Sequence, residues 1–183
     1  MTPNSDDVFF ASITELNQKL TKKEFSAVEL ARAFCDRLES IGPRYNALAL
    51  SLRKVALSDA KEVDGDLRRE RLRGPLQGIP FGAKDLLAYA KHPTTWGAQP
   101  YADQVFDYTA TALQRIQKHG GLLTGKLAMV ELAGGPSYRS ASASLTGPGL
   151  NPWDTTRWSG GSSSGSAIAV AAGLVTYALG SET

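Results

Sequence analysis

Serines and glycines crowd one short stretch of the chain, residues 157–173, with the sequence RWSGGSSSGSAIAVAAG. Five hydroxyl groups stand there beside very little side-chain bulk, at Ser159, Ser162, Ser163, Ser164 and Ser166. Three interpretations fit such a stretch. It is a flexible linker, a glycine-rich turn whose N–H groups cradle a phosphate, or a serine active site.

The apolar run that follows the serines weighs against a linker. It begins at Ala167 and carries no charge, which is typical of a helix buried on all sides. A loop that leads into a buried helix needs hydrogen-bond partners for its own polar groups. The phosphate interpretation stays open because a helix start presents free N–H groups, although no partner motif supports it.

A serine active site needs a base, and the lysine at position 84 is the best placed. Lys84 follows the apolar stretch 79–83 and precedes Asp85. The ordinary pKa of a lysine is about 10.4, and burial lowers that pKa, so a buried lysine can accept a proton. The alternative is an exposed lysine at a strand end. His92 and His119 lie far apart in the sequence, which gives a histidine-based triad little support.

A second glycine pattern, from Gly120 to Lys126, matches most of a phosphate-binding loop. The G-x-x-x-x-G-K pattern then requires serine or threonine for magnesium, and Leu127 stands at that position. The glycines are also explained as the end of a helix. Cys35 is the single cysteine, and with two separated histidines the sequence shows no metal-ligand spacing.

Several elements are predicted to position these residues. Capping boxes at Ser12 and Ser26 predict two helices, and Cys35 falls on the apolar face of the second. Helical packing is expected from 46 to 73. From Gly74 onward strands alternate with helices, which predicts an α/β sheet with helical cover. The expected strands span 79–83, 122–129 and 174–179, the expected helices span 108–119 and 167–172, and a long irregular segment spans 133–158.

Composition excludes several classes of protein. The 183 residues are 42% hydrophobic and 21% charged, which is enough for one domain with a sizeable core. The net charge of +2 gives no electrostatic case for nucleic acid or an anionic membrane. The N-terminus has no signal-peptide pattern, and no stretch approaches the length of a membrane span. We therefore expect a cytoplasmic protein that binds neither nucleic acid nor membrane.

Three segments, in order and with plausible spacing, resemble the amidase signature family. They are GPLQGIPFGAKD, GGLLTGKLAMVELA and NPWDTTRWSGGSSSGSAIAVAAGLVTYALGSET. That family includes bacterial amidases, fatty acid amide hydrolase and the A subunit of the glutamyl-tRNA amidotransferase. The resemblance implies a mixed β-sheet core covered by helices on both sides. Residues 1–73 would be an N-terminal helical segment and 74–183 the N-terminal part of the α/β core, together one domain.

The resemblance also assigns roles to residues. Lys84 would be the catalytic lysine of the family's Ser–cis-Ser–Lys triad. Ser162 would be the bridging serine, held after a cis peptide bond with Gly161. Supporting roles would fall to Ser163, Asp85 and Thr183, and the substrate pocket would include Ala133 and Gly134. The resemblance implies no metal and no organic cofactor.

The family's nucleophilic serine would lie three positions beyond Thr183. The chain therefore resembles the N-terminal portion of an amidase, cut within the active site. We expect the intact enzyme to hydrolyse a small amide through an acyl-enzyme. We expect this chain by itself to be inactive, and to self-associate or to pair with the C-terminal half.

Beside the phosphate-binding interpretation, two alternatives to a general amidase remain. One is the A subunit of a glutamyl-tRNA amidotransferase, working as a glutaminase; the other is a non-catalytic fragment. The amidotransferase proteins usually have a sequence close to GKTNMDEFAMG at this point. This chain differs from that sequence at Leu127, Ala128 and Val130, which disfavours the first alternative.

Overall fold

A four-stranded mixed sheet organises the computed structural model, which describes residues 6–134 and 141–182. The sheet order is β1-β3-β2-β6, in which β2 runs parallel to both neighbours and β1 runs antiparallel to β3. A separate antiparallel hairpin is formed by β4 and β5. The strands are β1 (Leu48–Ser51), β2 (Pro80–Lys84), β3 (Leu122–Leu127), β4 (Leu150–Asn151), β5 (Asp154–Trp158) and β6 (Tyr177–Leu179).

Helices account for most of the rest of the described chain. They are α1 (Asp6–Phe9), α2 (Ile13–Thr21), α3 (Ala27–Ile41), α4 (Arg53–Arg68), α5 (Thr111–Lys118) and α6 (Ser164–Ala171), with 3-10 turns at Gly42–Tyr45, Gln99–Tyr101 and Glu131–Ala133. Both predicted capping boxes are formed, by Ser12 with Glu15 and by Ser26 with Glu29. Cys35 is buried, as its place on the apolar face of α3 predicts. None of the helices within the described ranges has the length and apolar character that crossing a membrane requires.

The helices cover the sheet on both faces. On one face Leu127 of β3 packs against Leu38 of α3 and Ile168 of α6. On the other face Phe81 of β2 packs against Leu113 of α5, within a separate apolar cluster. The predicted architecture, a mixed sheet core with helices on both sides, is therefore confirmed.

The first strand differs from the helical packing expected from residue 46. Residues Leu48–Ser51 instead form β1, paired with β3 at the edge of the sheet. The pairing is anchored outside the strand as well, since Ala128 N donates to Ala47 O (2.8 Å) and Leu52 N donates to Thr124 O (2.9 Å). These partners lie far away in sequence, so the local pattern does not reveal them. The N-terminal segment thus adds a strand to the sheet, and the division at residue 74 stays a prediction.

Two further expectations need correction. The segment 133–158 was expected to be irregular, yet it contains the hairpin β4–β5, whose second strand is mostly exposed and so carries no apolar signature. Helix α6 was expected to be buried on all sides. One side packs against the sheet through Ile168, while Ala167 and Val170 are exposed, Val170 by 42%.

Candidate active site

Two parallel strands, β2 and β6, deliver the central residues of the candidate site. Parallel neighbours present their carboxyl ends at the same edge of a sheet. Lys84 is the last residue of β2, and Ser181 follows the end of β6 by two residues. The Lys84 Nζ donates to Ser162 Oγ at 2.7 Å and to Ser181 Oγ at 2.8 Å. Strand pairing and the start of α6 therefore bring three distant segments to one amine.

Burial sets the electrostatics of this amine. The Lys84 side chain is fully buried, and both of its hydrogen-bond partners are neutral hydroxyls. Burial lowers the pKa of Lys84 because it disfavours the charged ammonium, and the nearby Glu182 carboxylate partly opposes this. The alternative of an exposed strand-end lysine is therefore wrong. The arrangement favours a larger neutral fraction of the amine than a lysine in water has.

The Ser162 backbone is held against the chain that leaves β3. The Gly161–Ser162 peptide bond is cis, and Ser162 O accepts a hydrogen bond from Val130 N at 3.0 Å. A Cβ at Gly161 would lie 2.6 Å from Val130 Cγ2, and one at Gly165 would lie 2.5 Å from Ala128 N. The small residues of the serine-rich stretch therefore permit a close approach of two backbones.

The other hydroxyls of this stretch fix the end of β6. Ser163 Oγ accepts from Ser181 N (3.1 Å) and donates to Ser181 O (3.2 Å). Ser166 Oγ donates to Leu179 O at 2.8 Å. These bonds orient the segment that carries the Ser181 hydroxyl. A stretch tied down by such contacts is not a flexible linker, which removes the first of the three interpretations.

Asp85 serves a second buried site rather than the Lys84 amine. Its Oδ1 accepts from Lys126 Nζ at 2.5 Å and its Oδ2 accepts from Thr95 N at 3.0 Å. Lys126 Nζ also donates to Thr94 Oγ1 at 3.1 Å. Asp85 and Lys126 are both buried, so this ion pair anchors the loop that follows β2.

The phosphate-loop interpretation of 120–126 is wrong. Residues 122–127 form a fully buried strand, and Lys126 is engaged by Asp85. Gly120 has φ +82° directly after helix α5, so it acts as the helix end that the sequence offered as the alternative. Within the described ranges, no group of three or more His, Cys, Asp or Glu side chains is arranged to hold a metal ion.

Three predicted residues remain, namely Ala133, Gly134 and Thr183. Ala133 belongs to the Glu131–Ala133 turn, and Ala133 N donates to Val130 O, next to the backbone that binds Ser162. Gly134 is exposed, and no atom of the described residues beyond its chain neighbours lies within 4 Å of its Cβ position. Thr183 lies outside the described residues. The structure brings Lys84, Gly161, Ser162 and Ser163 together; Asp85 lies in the adjacent ion pair.

Sequence reasoning missed Ser181. The feature that would have identified Ser181 is the strand topology. Ser181 belongs to a Gly-Ser pair after β6, which runs parallel to β2 and ends at the same edge of the sheet. The strand itself is predicted from the sequence, but its pairing with β2 is not. Without the pairing, nothing indicates that Ser181 Oγ lies 2.8 Å from Lys84 Nζ.

The geometry and the fold agree with a family match. The family model named Amidase matches residues 29–183. The match covers most of the chain, so the chain belongs to the amidase family.

Relatives of known name fall into two groups. The chain is 38% identical, over 97% of its length, to the A subunit of the glutamyl-tRNA(Gln) amidotransferase of Carboxydothermus hydrogenoformans. It is 34% identical, over 98% of its length, to the putative amidase AmiD of Mycobacterium bovis. It covers 36% and 37% of those proteins respectively.

Solved structures show the same fold. A peptide amidase in complex with the competitive inhibitor chymostatin matches with a TM-score of 0.85 and 34% identity, over 94% of this chain and 36% of that one. An amidase family protein from Bacillus anthracis matches with a TM-score of 0.88 and 29% identity, over 97% of this chain and 36% of that one. The chain thus spans little more than a third of the length of the proteins it resembles.

Proposed function

We propose that this chain supplies the lysine and the bridging serine of an amidase that hydrolyses carbon–nitrogen amide bonds. The observation that carries the proposal is the 2.7 Å hydrogen bond between Lys84 Nζ and Ser162 Oγ, made by a fully buried side chain. An amine with a lowered pKa beside a hydroxyl is an arrangement that activates serine for attack on a carbonyl carbon. Membership of the amidase family supports the same chemistry.

The proposed reaction begins with a proton relay. Neutral Lys84 accepts a proton from Ser162 Oγ, which accepts one from the nucleophilic serine expected three positions beyond Thr183. That serine forms a bond to the amide carbonyl carbon, and the C–N bond then breaks. The relay returns the proton to the departing amine, which leaves an acyl-enzyme. Water hydrolyses the ester to the acid and regenerates the serine.

The neighbouring residues have positioning roles in this proposal. Ser181 is a second hydrogen-bond acceptor for the Lys84 amine, and Ser163 holds Ser181 in place. Gly161 provides the space that the Ser162 turn requires. Asp85 fixes the end of β2, and Thr183 would support the segment that carries the nucleophile. The pocket wall would include Ala133 and Gly134.

The activity test uses a longer protein, because the chain spans about 36% of its relatives. Residues 1–183 would be joined to the matching C-terminal part of the peptide amidase and assayed for ammonia release from hexanamide. Lys84→Ala should abolish turnover, whereas Lys118→Ala, at an exposed lysine of α5, should leave it unchanged. Hydrolysis by the Lys84→Ala chimera at the unsubstituted rate would refute the proposal.

We further propose that residues 1–183 alone do not hydrolyse amides, and that they self-associate or pair with the C-terminal half. Exposed apolar side chains such as Val170 support association. Purified chain should release no ammonia from hexanamide and should elute above its monomer mass of 19.5 kDa in size-exclusion chromatography. Ammonia release that depends on Lys84 would contradict the proposed inactivity. Elution as a compact monomer would contradict the proposed association.

A second candidate function is the glutaminase step of an amidotransferase. The 38% identity to the A subunit of such an enzyme favours it. The differences at Leu127, Ala128 and Val130 from the sequence usual for those proteins oppose it. The chimera assay separates the two candidates, since a glutaminase would prefer L-glutamine to hexanamide and a general amidase would show the reverse preference.

A further inference from the structure

Four aromatic rings form a connected strip on the surface of the loop between β2 and α5. Trp96 lies 5.2 Å from Tyr101 and 6.0 Å from Phe106, and Phe106 lies 5.4 Å from Tyr108, measured between ring centroids. We call these four residues the aromatic strip. Tyr101 is 38% exposed and Tyr108 is 56% exposed. Trp96 and Phe106, which lie between these two tyrosines, are half-buried. A single exposed ring needs no explanation, but a connected set of partly exposed rings is typical of a binding surface.

The aromatic strip is attached to the candidate active site through Trp96, one of its two inner rings. Trp96 N donates to the carbonyl oxygen of Asp85, the residue after Lys84, at 3.3 Å. Trp96 O accepts from Leu132 N at 2.8 Å. Leu132 lies in the turn after Val130, whose N–H binds Ser162 O. The strip is therefore one hydrogen bond from the segment that carries Lys84, and it is connected to the segment that carries Ser162 by two hydrogen bonds through the turn at Leu132.

The backbone at this junction is unusual. Trp96 has φ +53° and Leu132 has φ +54°, so two bulky residues adopt the left-handed conformation and are hydrogen-bonded to each other. Bulky side chains rarely adopt this conformation, and such residues cluster at ligand-binding and active sites. Leu132 is also 60% exposed, although it is apolar. The backbone is thus held so that an apolar side chain stays at the surface beside the site.

We propose that Leu132 and the aromatic strip bind an alkyl or aryl group of the amide substrate, outside the site where the amide bond is cleaved. This inference rests on the proposed function. It names the substrate class, which is amides with an extended apolar arm, in preference to small polar amides such as acetamide or L-glutamine. Aromatic rings provide large rigid apolar contact area for such a group.

The test measures binding to the 183-residue chain, so it does not depend on turnover. The probes are acetamide, hexanamide and phenylacetamide, titrated against the chain with ligand-observed NMR. Affinity should rise from acetamide to the two longer amides. Trp96→Ala and Tyr101→Ala should each weaken phenylacetamide binding about fivefold to tenfold while acetamide binding stays the same. Equal affinity for all three probes would overturn the inference.

Matched variants separate a binding role from a folding role. Trp153→Ala removes a ring that is 79% exposed between β4 and β5 and is not part of the strip, and it should change no affinity. Tyr108→Ala removes an exposed ring of the strip, so it tests the inference if Trp96→Ala fails to fold. Loss of phenylacetamide binding in the Trp153 variant, or its retention in both Tyr101→Ala and Tyr108→Ala, would contradict the role of the strip.

The outcome also distinguishes this inference from the proposed function. A chimera that releases no ammonia, combined with selective phenylacetamide binding through the strip, would refute the amidase proposal and leave an apolar binding surface. Lys84-dependent hydrolysis without any preference for apolar amides would refute the binding role of the strip, and the amidase proposal would stand. Aromatic substitutions that only prevent self-association in size-exclusion chromatography would show that the strip contacts a second copy of the chain, and would overturn the inference.

Discussion

Two lysines on neighbouring strands are both fully buried, yet they have different surroundings. Lys84 lies at the end of β2 and Lys126 lies in β3, paired in register with Ala83. Because side chains alternate along a strand, the two lysines project to opposite faces of the sheet. Lys126 meets the carboxylate of Asp85, whereas the Lys84 amine meets the hydroxyls of Ser162 and Ser181.

These surroundings give the two buried amines different roles. Burial lowers the pKa of both lysines, but at Lys126 the contacting Asp85 carboxylate opposes this and favours the charged form. Among the described residues, the hydrogen bonds of the Lys84 amine go to the hydroxyls of Ser162 and Ser181. Lys126 is therefore suited to hold the loop after β2 in place, and Lys84 is suited to exchange a proton with a hydroxyl.

The largest effect is expected from a substitution that removes the proposed base, Lys84, and leaves the Asp85–Lys126 ion pair intact. In the chimera with the peptide amidase, Lys84→Met should lower kcat/KM for hexanamide by at least about 100-fold, because general-base catalysis contributes a factor of that order. Ammonia release measures the loss, and Lys118→Met is the exposed control. The unfolding of the 183-residue Lys84→Met variant in urea should remain cooperative. If the Lys84→Met chimera kept its activity, Lys84 would not be the base, and the proposed difference in role between the two lysines would be wrong.

The second prediction removes the cation of the ion pair. Lys126→Met leaves the buried Asp85 carboxylate without its partner, which should lower the free energy of unfolding by about 3–5 kcal/mol. Urea denaturation followed by circular dichroism measures this change. The double variant Lys126→Met, Asp85→Leu should recover part of the loss, because it removes the unpaired charge. A single variant as stable as the parent chain would show that Lys126 has no structural role.

The third prediction uses pH to test the lowered pKa of Lys84. Because the folded-state pKa of Lys84 is lowered, the unfolded chain binds more protons between that pKa and the ordinary value of about 10.4. The free energy of unfolding should therefore rise with pH across this window. Lys84→Met should show a smaller rise, measured by urea titrations at several pH values with Lys118→Met as the control. Identical slopes would indicate that the Lys84 pKa is not lowered.

The smallest effect concerns Ser181, the residue that sequence reasoning missed. Ser181→Ala removes one of the two hydroxyls on the Lys84 amine, and a typical hydrogen bond contributes about 1 kcal/mol. We expect kcat/KM of the chimera to fall about fivefold and the pH dependence of kcat to shift with the pKa of Lys84. Ser40→Ala, on the exposed part of α3, is the control. A fall in stability alone, with an unchanged pH profile, would assign Ser181 a structural role only.

Local patterns made much of this protein predictable. The capping boxes at Ser12 and Ser26 fix two helix starts, because their hydrogen bonds form within four residues. The apolar run before Lys84 indicates a strand that ends at this residue, but the pattern alone leaves an exposed lysine as the alternative. The tightly packed turn at Ser162 follows from the resemblance to amidases. The resemblance to amidases joined these two residues into one site, and the structure brings their side chains into contact.

Long-range pairing was not predictable in the same way. Strand β1 forms because it pairs with β3. In the hairpin β4–β5, the second strand is mostly exposed and therefore has no apolar pattern. The exposure of Val170 likewise depends on which elements pack against α6. In each case the deciding partner is remote in sequence, so the residues themselves carry no signal of it.

Sequence patterns alone were sufficient for the starts of α2 and α3, the α/β alternation after Gly74 and the residue types of the candidate site. Which buried lysine meets a carboxylate and which meets hydroxyls became clear from the folded chain. The physical reason is that the pKa of a buried amine depends on the groups within a few ångströms of its nitrogen. Strand register places Asp85 at Lys126, and the parallel pairing of β2 with β6 places Ser181 at Lys84. The backbone bond from Val130 N places Ser162 at the same amine.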